Sequence, residues 1–507
     1  MRRPDSSLNF LSLFVSTFFL FAGYGLFLNS AGIHLSEIGA SSVVIGALNA
    51  SFFVGATLSS IAAHRIISRV GHIRSFTVFG AVFAVAALGH TMDDNLWVWF
   101  VLRIILGFCY FSLLMVVESW FTERSSAKKR AKVLGIYNFV YYMSVTFGVL
   151  LLSLNMSSDN VLSLSSILVI MAMVPVALTR TPSPEIPAPQ RISIPKVFAI
   201  TPLAILGSFI AGFLVNGFFT MASVFYLIQK MDIAQVSMGL SLAMIGGSLA
   251  QAPVAYYSNV VGRRYAILTC SAVAFVVILV ALLWMLSGHA AVWLHYIVAF
   301  VIGFSLFTLY ALSLARANDV LPNNMSTVEV SRSILFAYGI GSLVAPLVMG
   351  ALIDTLPTYG FYITYVVLTA ILASVAVVQR HVPQELRSVY VNVVGNTSPV
   401  MADLDPRNED EENIVPFNDQ VAQEYVQILD KDPQKIVDTT QEQVVVEIMD
   451  AQSSDAVDAR KEATPEQTPS ENGTNEQGEV NVSDVPKKAN EPQKMAQEAV
   501  TETLSKK

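Results

Sequence analysis

Long apolar runs separated by short polar segments dominate the first three quarters of the chain. A helix needs about 20 mostly apolar residues to cross the hydrocarbon core of a bilayer, and twelve runs reach that length. The runs lie at residues 10–32, 43–65, 75–92, 96–119, 133–154, 161–179, 198–227, 236–258, 265–286, 292–316, 331–353 and 360–379. A segment with five prolines, residues 181–197, separates the first six runs from the last six. The pattern predicts an all-α polytopic membrane protein with two six-helix bundles, residues 1–180 and 198–380.

Charge is scarce in this chain and unevenly distributed. Only 14% of the 507 residues are charged and 53% are hydrophobic, whereas soluble proteins carry about 25% charged residues. Residues 1–380 hold 20 basic and 12 acidic side chains, a net charge of +8, and residues 381–507 hold 11 and 26, a net charge of −15. This distribution excludes a soluble enzyme, a nucleic-acid-binding protein and a disulfide-stabilised secreted domain. The body therefore has the lipid bilayer as its partner, and an acidic tail follows it.

The basic residues indicate the orientation of the spans, because Lys and Arg are retained on the cytoplasmic side. With a cytoplasmic N-terminus, the cytoplasmic loops hold the basic clusters at residues 65–74, 124–132, 180–196 and 263–264. The opposite loops then hold one Lys or Arg, Lys230. We expect both termini and the linker 181–197 to lie in the cytoplasm, in a multi-pass protein of the plasma membrane.

The two halves contain matching segments. Residues 106–111 of the fourth span, LGFCYF, match residues 302–307 of the tenth, IGFSLF. Residues 69–74, RVGHIR, follow the second span, and residues 260–264, VVGRR, follow the eighth. Chance similarity between apolar segments is the alternative, but both matches occur at the same span number in each half. Repeated halves are typical of transporters with a substrate site near the membrane midplane between the bundles.

These motifs resemble the major facilitator superfamily (MFS) of transporters over residues 1–380. Arg103 and Gly107 form the RxxxG pattern of the family's fourth span, and Gly71 and Gly262 stand beside cations in the loops after spans two and eight. A branch of uncharacterised bacterial members is similar in four further segments, residues 116–119, 137–142, 315–319 and 338–342.

One feature of the family's loops is missing. The Asp that usually precedes the Arg after the second span is Ser68 here, and the equivalent position in the second half is Asn259. In the family this Asp is thought to pair with a cation and close the cytoplasmic side of the transporter, and the resemblance does not imply that contact for this chain.

The resemblance implies a secondary active transporter that moves a small organic solute by alternating access, with or without proton coupling. It further implies a monomer of the bacterial inner membrane that needs no cofactor. No P-loop, HExxH motif or clustered carboxylates support an ATP-driven pump or an enzyme. A second class remains open: a transporter-derived membrane sensor or scaffold that signals through its cytoplasmic tail.

Arg103 is the leading candidate for contact with the solute or a proton network. It lies about 10 Å into the fourth span at 1.5 Å per residue, where a cation is costly and should face the bundle interior. The alternative is a structural Arg that bonds backbone carbonyls.

Uncharged polar side chains make up most of the remaining polar groups deep in the spans. The candidates for solute contact are Tyr24, Asn29, Asn138, Tyr141, Asn216 and Tyr310, with Asn49, Tyr226 and Gln251 in the same class. Amides and phenols suit a neutral or zwitterionic organic solute, but they also serve as interhelical hydrogen bonds.

Charged residues and glycines near the cytoplasmic ends of the spans are candidates for a gate whose charge pairs form in one state and break in the other. The set comprises Arg69, Gly71, Arg74, Glu118, Gly262, Arg263, Glu329 and Arg332. Carboxylates in the headgroup region are the alternative for Glu118 and Glu329. Because no acidic residue lies deep in a span, either proton coupling uses Glu118, Glu37 or His34 near the span ends, or coupling is absent.

The acidic segment 381–507 is rich in Pro, Glu, Gln, Asn and Ser and poor in aromatic residues. Such a composition buries too little apolar surface to offset its ordering entropy. We expect a disordered cytoplasmic tail, with residues 444–448 as the one apolar exception.

Overall fold

The computed structural model describes residues 6–404, apart from 126, 155, 179–193, 290 and 322–325. The described part is all-helical, and its α-helices are α1 (Ser6–Glu37), α2 (Ser42–Val70), α3 (His72–Gly89), α4 (Leu96–Arg124), α5 (Ala127–Leu150), α6 (Ser158–Ala177), α7 (Ile194–Ile200), α8 (Pro202–Ile228), α9 (Ile233–Val261), α10 (Arg263–Leu286), α11 (Val292–Leu306), α12 (Leu309–Asn318), α13 (Thr327–Thr355) and α14 (Gly360–Val378). Three 3₁₀-helices occupy Leu151–Leu154, Gln384–Leu386 and Pro399–Leu404.

Twelve spans cross the membrane, which confirms the prediction from the apolar runs. The helices α1–α6 are the first six spans, and α8, α9, α10, α13 and α14 are single spans of the second half. The short α7 precedes the seventh span, and α11 and α12 together form the tenth, Val292–Asn318. Most of the proline-rich linker lies outside the described residues.

Glycines bring the second and fourth spans of each half into close contact, and the pattern is the same in both halves. A Cβ on Gly107 of α4 would meet the Phe52 carbonyl of α2 at 1.8 Å. A Cβ on Gly303 of α11 would meet the Ala243 carbonyl of α9, also at 1.8 Å. Small residues let membrane helices approach to backbone contact. The matching sequences at 106–111 and 302–307 therefore have one packing role, and the halves are structural repeats.

The glycines after the second and eighth spans share a second geometry. Gly71 ends α2 with φ 90° and ψ 156°, and Gly262 ends α9 with φ 96° and ψ 154°. Positive φ values of this kind are open to glycine and strained for other residues. Each glycine lets the chain leave one span and enter the next within a single residue.

The two bundles touch on the side of the protein opposite the termini. An even number of spans places the start of α1 and the end of α14 on one side, here named the terminal side. Helix α2 packs against α13, α1 against α8, and α5 against α9. Near the far end, the Asp354 carboxylate accepts hydrogen bonds from the backbone N–H groups of Ser42 (2.8 Å) and Val43 (3.2 Å). A carboxylate at a helix N-terminus is favoured by the helix dipole, so the end of α13 caps α2 across the bundle interface.

The expectation of disorder from residue 381 onward is wrong for residues 381–404. Val391, Val393, Val394, Val400 and Met401 are each only 3–6% exposed. The 3₁₀-helix Pro399–Leu404 contacts α4 of the first bundle and α13 of the second. The physical reason is local composition, because these residues bury apolar surface that the average of the acidic tail conceals. Residues 405–507, including the apolar stretch 444–448, lie outside the described residues.

Candidate functional site

An aromatic chamber lies between the two bundles. The wall of this chamber consists of Tyr141, Tyr142, Val215, Phe219, Phe307, Tyr310 and Tyr338. Helix α5 of the first bundle supplies the first two residues, and α8, α12, α13 and the turn between α11 and α12 of the second bundle supply the others. The break in the tenth span at residues 307–308 therefore places Phe307 at the wall, where an unbroken helix was expected.

Hydrogen bonds order the second-bundle side of the chamber. The Asn216 amide donates to the Tyr338 hydroxyl at 3.0 Å and to the Ser342 hydroxyl at 2.8 Å, linking α8 to α13. The rings of Tyr310 and Tyr338 pack edge to face with centroids 5.1 Å apart. These bonds hold the Tyr338 ring in place, whereas the Asn216 Oδ1 atom has no hydrogen-bond donor among the described residues. The wall consists of four tyrosines, two phenylalanines and a valine, with no charged member.

Glu118 is the buried carboxylate of this region. It lies on α4 and its side chain is 0% exposed. The Tyr137 hydroxyl donates to one carboxylate oxygen at 2.7 Å. The backbone N–H and hydroxyl of Ser398 donate to the other oxygen at 2.9 and 2.5 Å. A buried carboxylate persists only when it is hydrogen-bonded or protonated, and here the tail supplies two of its three donors.

The tail also bonds to the chamber wall. The Asn396 amide donates to the Tyr141 hydroxyl at 3.2 Å, and the Tyr338 hydroxyl donates to the Asn396 oxygen at 3.4 Å. Asn138 donates to the Asn392 carbonyl at 2.6 Å. Of the predicted solute contacts, Tyr141 and Tyr310 line the chamber, Asn216 bonds to the Tyr338 hydroxyl of its wall, and Asn138 bonds to the tail.

A groove of about 410 Å³ lies between α5 and α9 and shares Tyr142 with the chamber lining. Asn138 and Gln251 line it, together with tail residues 389–392. Gln251 donates to the Tyr142 hydroxyl at 2.9 Å, which links the groove to the chamber wall.

Arg263 anchors the start of this tail segment at the terminal side. Its guanidinium donates to the Ser388 carbonyl at 2.8 Å and lies 5.3 Å from the centre of the Tyr390 ring. Asp319 accepts from the Ser388 N–H at 2.9 Å and hydroxyl at 2.8 Å, and it lies 3.7 Å from the Arg263 Nε. Burial raises the pKa of the Asp319 carboxyl, while Arg263 and the Ser388 hydrogen bonds oppose that change. Arg263 therefore contacts the tail as well as its neighbours in the loop.

Arg103 lies apart from the chamber wall. Its side chain is 0% exposed, donates to the Asn49 oxygen at 2.8 Å and lies 4.9 Å from the centre of the Phe27 ring. The Asn49 amide donates to the Thr220 carbonyl at 2.9 Å. This chain of bonds runs from α4 through α2 to α8 and so crosses from one bundle to the other. Among the described residues the Arg103 Nε and Nη2 atoms have no hydrogen-bond acceptor.

Tyr24 and Asn29, two further predicted solute contacts, make ring and hydrogen-bond contacts within the first bundle. Tyr24 is buried and stacks on Tyr110, with ring centroids 4.1 Å apart. Asn29 is buried and donates to the Gly25 carbonyl of its own helix at 2.8 Å. The proposed proton carriers His34 and Glu37 lie toward the far side, where they bond to Asp94 (3.0 Å) and Ser158 (2.6 Å) respectively.

The predicted gate residues divide into two groups. Arg69 and Arg74 are exposed, and Gly71 between them serves the turn. Glu329 stands in the first turn of α13, where its backbone N–H donates to Ser326, and Arg332 is buried on the same helix. Glu118, Gly262 and Arg263 instead surround the tail: a Cβ on Gly262 would lie 3.1 Å from Arg387 and from His381. A gate formed by the whole set stays a prediction.

Sequence reasoning missed the residues that fill the site. Asn396 and Ser398 lie in a stretch without charge, residues 388–402, within an otherwise acidic tail. A local search for charge-free stretches would have found it. Tyr338, Ser342 and Asp354 carry no comparable signal, because their roles depend on partners more than a hundred residues away.

A family model described as Major Facilitator Superfamily matches residues 13–329, which is more than half of the chain. The chain belongs to the Major Facilitator Superfamily. It is therefore a multi-pass membrane protein of a transporter family, as its twelve spans require.

Similar curated proteins of the superfamily are uncharacterised. The chain is 25% identical over 309 residues to the uncharacterised MFS-type transporter YcaD of Escherichia fergusonii, and the match covers 60% of this chain and 78% of the relative. It is 27% identical over 308 residues to the uncharacterised MFS-type transporter YE1530 of Yersinia enterocolitica, with the same coverage.

Solved MFS structures share the fold. The nucleoside transporter NupG is 13% identical and superimposes with a TM-score of 0.59 over 73% of this chain and 97% of its own. A bacterial homologue of the human lysosomal transporter Spinster, inward-facing and occupied, is also 13% identical and reaches 0.60, over 76% and 99%.

Proposed function

We propose that this MFS protein is a secondary carrier that moves a small polar organic solute by alternating access of the chamber between its bundles. The observation that carries the proposal is the chamber itself, a space lined by aromatic side chains, four of them tyrosines, from both bundles. The bundles touch on the far side through α2 and α13, and on the terminal side the tail lies between them. A site between two rigid repeats is the arrangement that rocking exposes to either side in turn.

The wall chemistry favours a neutral or zwitterionic solute with several N–H or O–H donors. The hydroxyls of the wall tyrosines offer directional hydrogen bonds without net charge, and the aromatic rings offer flat surfaces for stacking. Nucleosides belong to this class, and one structural neighbour is a nucleoside transporter.

Glu118 is our proposed site of proton coupling. A carboxylate that exchanges a buried, hydrogen-bonded state for a hydrated one changes its proton affinity between the two states. Glu118 is buried and bonds to Ser398, two residues beyond Asn396 of the chamber lining. Replacing Glu118 with Gln should therefore abolish the response of transport to an imposed pH gradient.

We further propose that the terminal side faces the cytoplasm of a bacterial inner membrane and that the carrier acts as a monomer. The support for the orientation is the distribution of Lys and Arg, which the loops of the terminal side hold almost entirely.

The test is solute binding and uptake by the purified full chain. Candidate solutes, including nucleosides, amino acids and small polyols, are first screened by the rise in melting temperature that a ligand of the folded state produces. Hits are then tested for uptake into proteoliposomes with and without a pH gradient. Tyr338→Phe should weaken binding of the solute, because it removes a hydroxyl of the chamber wall. The matched control is Tyr256→Phe, since Tyr256 is 74% exposed on α9. Equal loss in the two variants would contradict a site in the chamber.

The packing of the tail against the chamber also favours a second candidate, a sensor or scaffold that signals through the tail. Such a protein would bind a solute in the chamber without moving it. Ligand-dependent stabilisation in the absence of uptake for every hit would support this interpretation over the carrier.

A further inference from the structure

The tail segment 388–401 differs in chemistry from the rest of the tail. It follows Arg387 and contains no Asp, Glu, Lys or Arg, although residues 381–507 hold 37 such residues in total. Five of its residues are valines. A segment of this composition can bury apolar surface, and the structure shows that it does, with four of the valines and Met401 buried.

The segment follows a continuous path from the terminal side into the chamber. Arg387 donates to the Asn259 carbonyl at 2.7 Å, at the end of α9. Ser388 is held by Arg263 and Asp319, and Asn392 by Asn138. The contacts end with Asn396 at the chamber wall and Ser398 on Glu118, and both bundles contribute.

The segment fills the chamber. Val394, Gly395 and Asn396 complete its lining, and the remaining cavity has a volume of about 10 Å³. A cavity of about 10–15 Å³ has room for one water molecule. A small organic solute and the segment therefore cannot occupy the chamber together.

Gly395 marks the closest approach. A Cβ at this position would lie 2.3 Å from two atoms of the Tyr338 ring. Because that ring is buried and bonded to Asn216, it cannot move aside easily. The segment enters the chamber only because residue 395 has no side chain.

We infer that residues 388–401 are an intramolecular ligand of the chamber, a peptide segment that competes with the solute and holds the carrier inactive from the cytoplasmic side. Its hydroxyl and amide groups occupy the hydrogen bonds that a polar solute would use. Nine residues separate the end of α14 from Ser388, and a tether this short gives a local concentration in the mM range. The position of the segment in the chamber does not depend on the transport function proposed above, but its competition with a solute does.

The position of the segment in the chamber is tested without any transport measurement. Thr397 is 3% exposed, so Thr397→Cys in the full chain should react slowly with a water-soluble maleimide. Adding Gly395→Leu should increase its labelling rate at least tenfold. The control Gly339→Leu should leave the rate unchanged, because a Cβ at Gly339 meets no atom within 4 Å. Cys109 and Cys270 are buried, and their continued protection in the same samples shows that the bundles stay folded. Fast labelling of Thr397→Cys in the otherwise unchanged chain would overturn the inference.

Competition is tested by uptake in proteoliposomes. The Gly395→Leu variant should take up solute several-fold faster than the parent, and a synthetic peptide of residues 387–404 added on the cytoplasmic face should reverse the gain. If Gly395→Leu speeds the labelling of Thr397→Cys but leaves uptake unchanged, and the parent protein does transport, the inhibitory role of the segment is overturned. If labelling behaves as expected but no variant takes up solute, the position of the segment in the chamber is supported and the transport proposal is overturned.

Discussion

Removing one hydroxyl should measurably weaken the hold of the tail on the chamber. The perturbation is Ser398→Ala, which deletes the hydroxyl 2.5 Å from the Glu118 carboxylate and leaves the backbone N–H and the Tyr137 hydroxyl in place. A hydrogen bond to a charged group contributes about 1.5–3 kcal/mol. We take the lower part of that range, about 1.5–2 kcal/mol, because two donors remain to Glu118. Since about 1.4 kcal/mol is a factor of ten, the released fraction should rise by about 10- to 30-fold.

The assay is maleimide labelling of Val400→Cys, a buried position of the last 3₁₀-helix. When release and rebinding are fast compared with labelling, the rate reports the released fraction. The matched control is Thr397→Val, because Thr397 is equally buried and its hydroxyl has no hydrogen-bond partner among the described residues. In a Glu118→Gln background the effect of Ser398→Ala should shrink, as expected for a coupled pair. Equal labelling of Ser398→Ala and Thr397→Val would refute the reasoning.

Three further predictions address the rest of the molecule. Asp354→Asn should favour opening of the far side by about fivefold, since it removes a charge worth about 1 kcal/mol at the start of a helix. Spin-label distances between the bundles measure this opening, and Asp159→Asn, at a helix start inside the first bundle, is the control. Arg103→Ala should reach normal membrane abundance but lose most uptake, because it removes a buried charge and the bonded link between bundles; degradation of the variant would show a structural role instead. Gly262→Ala should lower the free energy of unfolding by about 1–2 kcal/mol because of its positive φ, whereas Gly339→Ala should not, and thermal unfolding distinguishes the two.

The membrane architecture was predictable because one physical requirement dominates it. Each span needs a long apolar run, and that requirement is visible in a window of about 20 residues. The same window could not show where helices end outside the hydrocarbon core. Helix α1 begins at Ser6 and ends at Glu37, whereas the apolar run predicted residues 10–32. The window also could not show the break after Leu306, at residues 307–308, which contain neither glycine nor proline.

The site was less predictable because its contacts join distant parts of the chain. Tyr141 and Tyr310 were found as polar residues within apolar runs, but nothing local separates them from Tyr24, which does not line the chamber. The bond between Glu118 and Ser398 spans 280 positions. The tail was misjudged for a different reason: its average composition is that of a disordered segment, and fifteen uncharged residues change that average little.

The proposed sharing of the chamber wall by the solute and the tail would constrain how this transporter can evolve. A substitution at Tyr338 that admits a different solute also changes the surface against which Gly395 fits, so a gain in specificity disturbs the tail at the same time. Chamber and tail should therefore change in step among descendants of this protein. Exchanging tails between two such descendants should preserve regulated transport only when the chamber wall is exchanged with them.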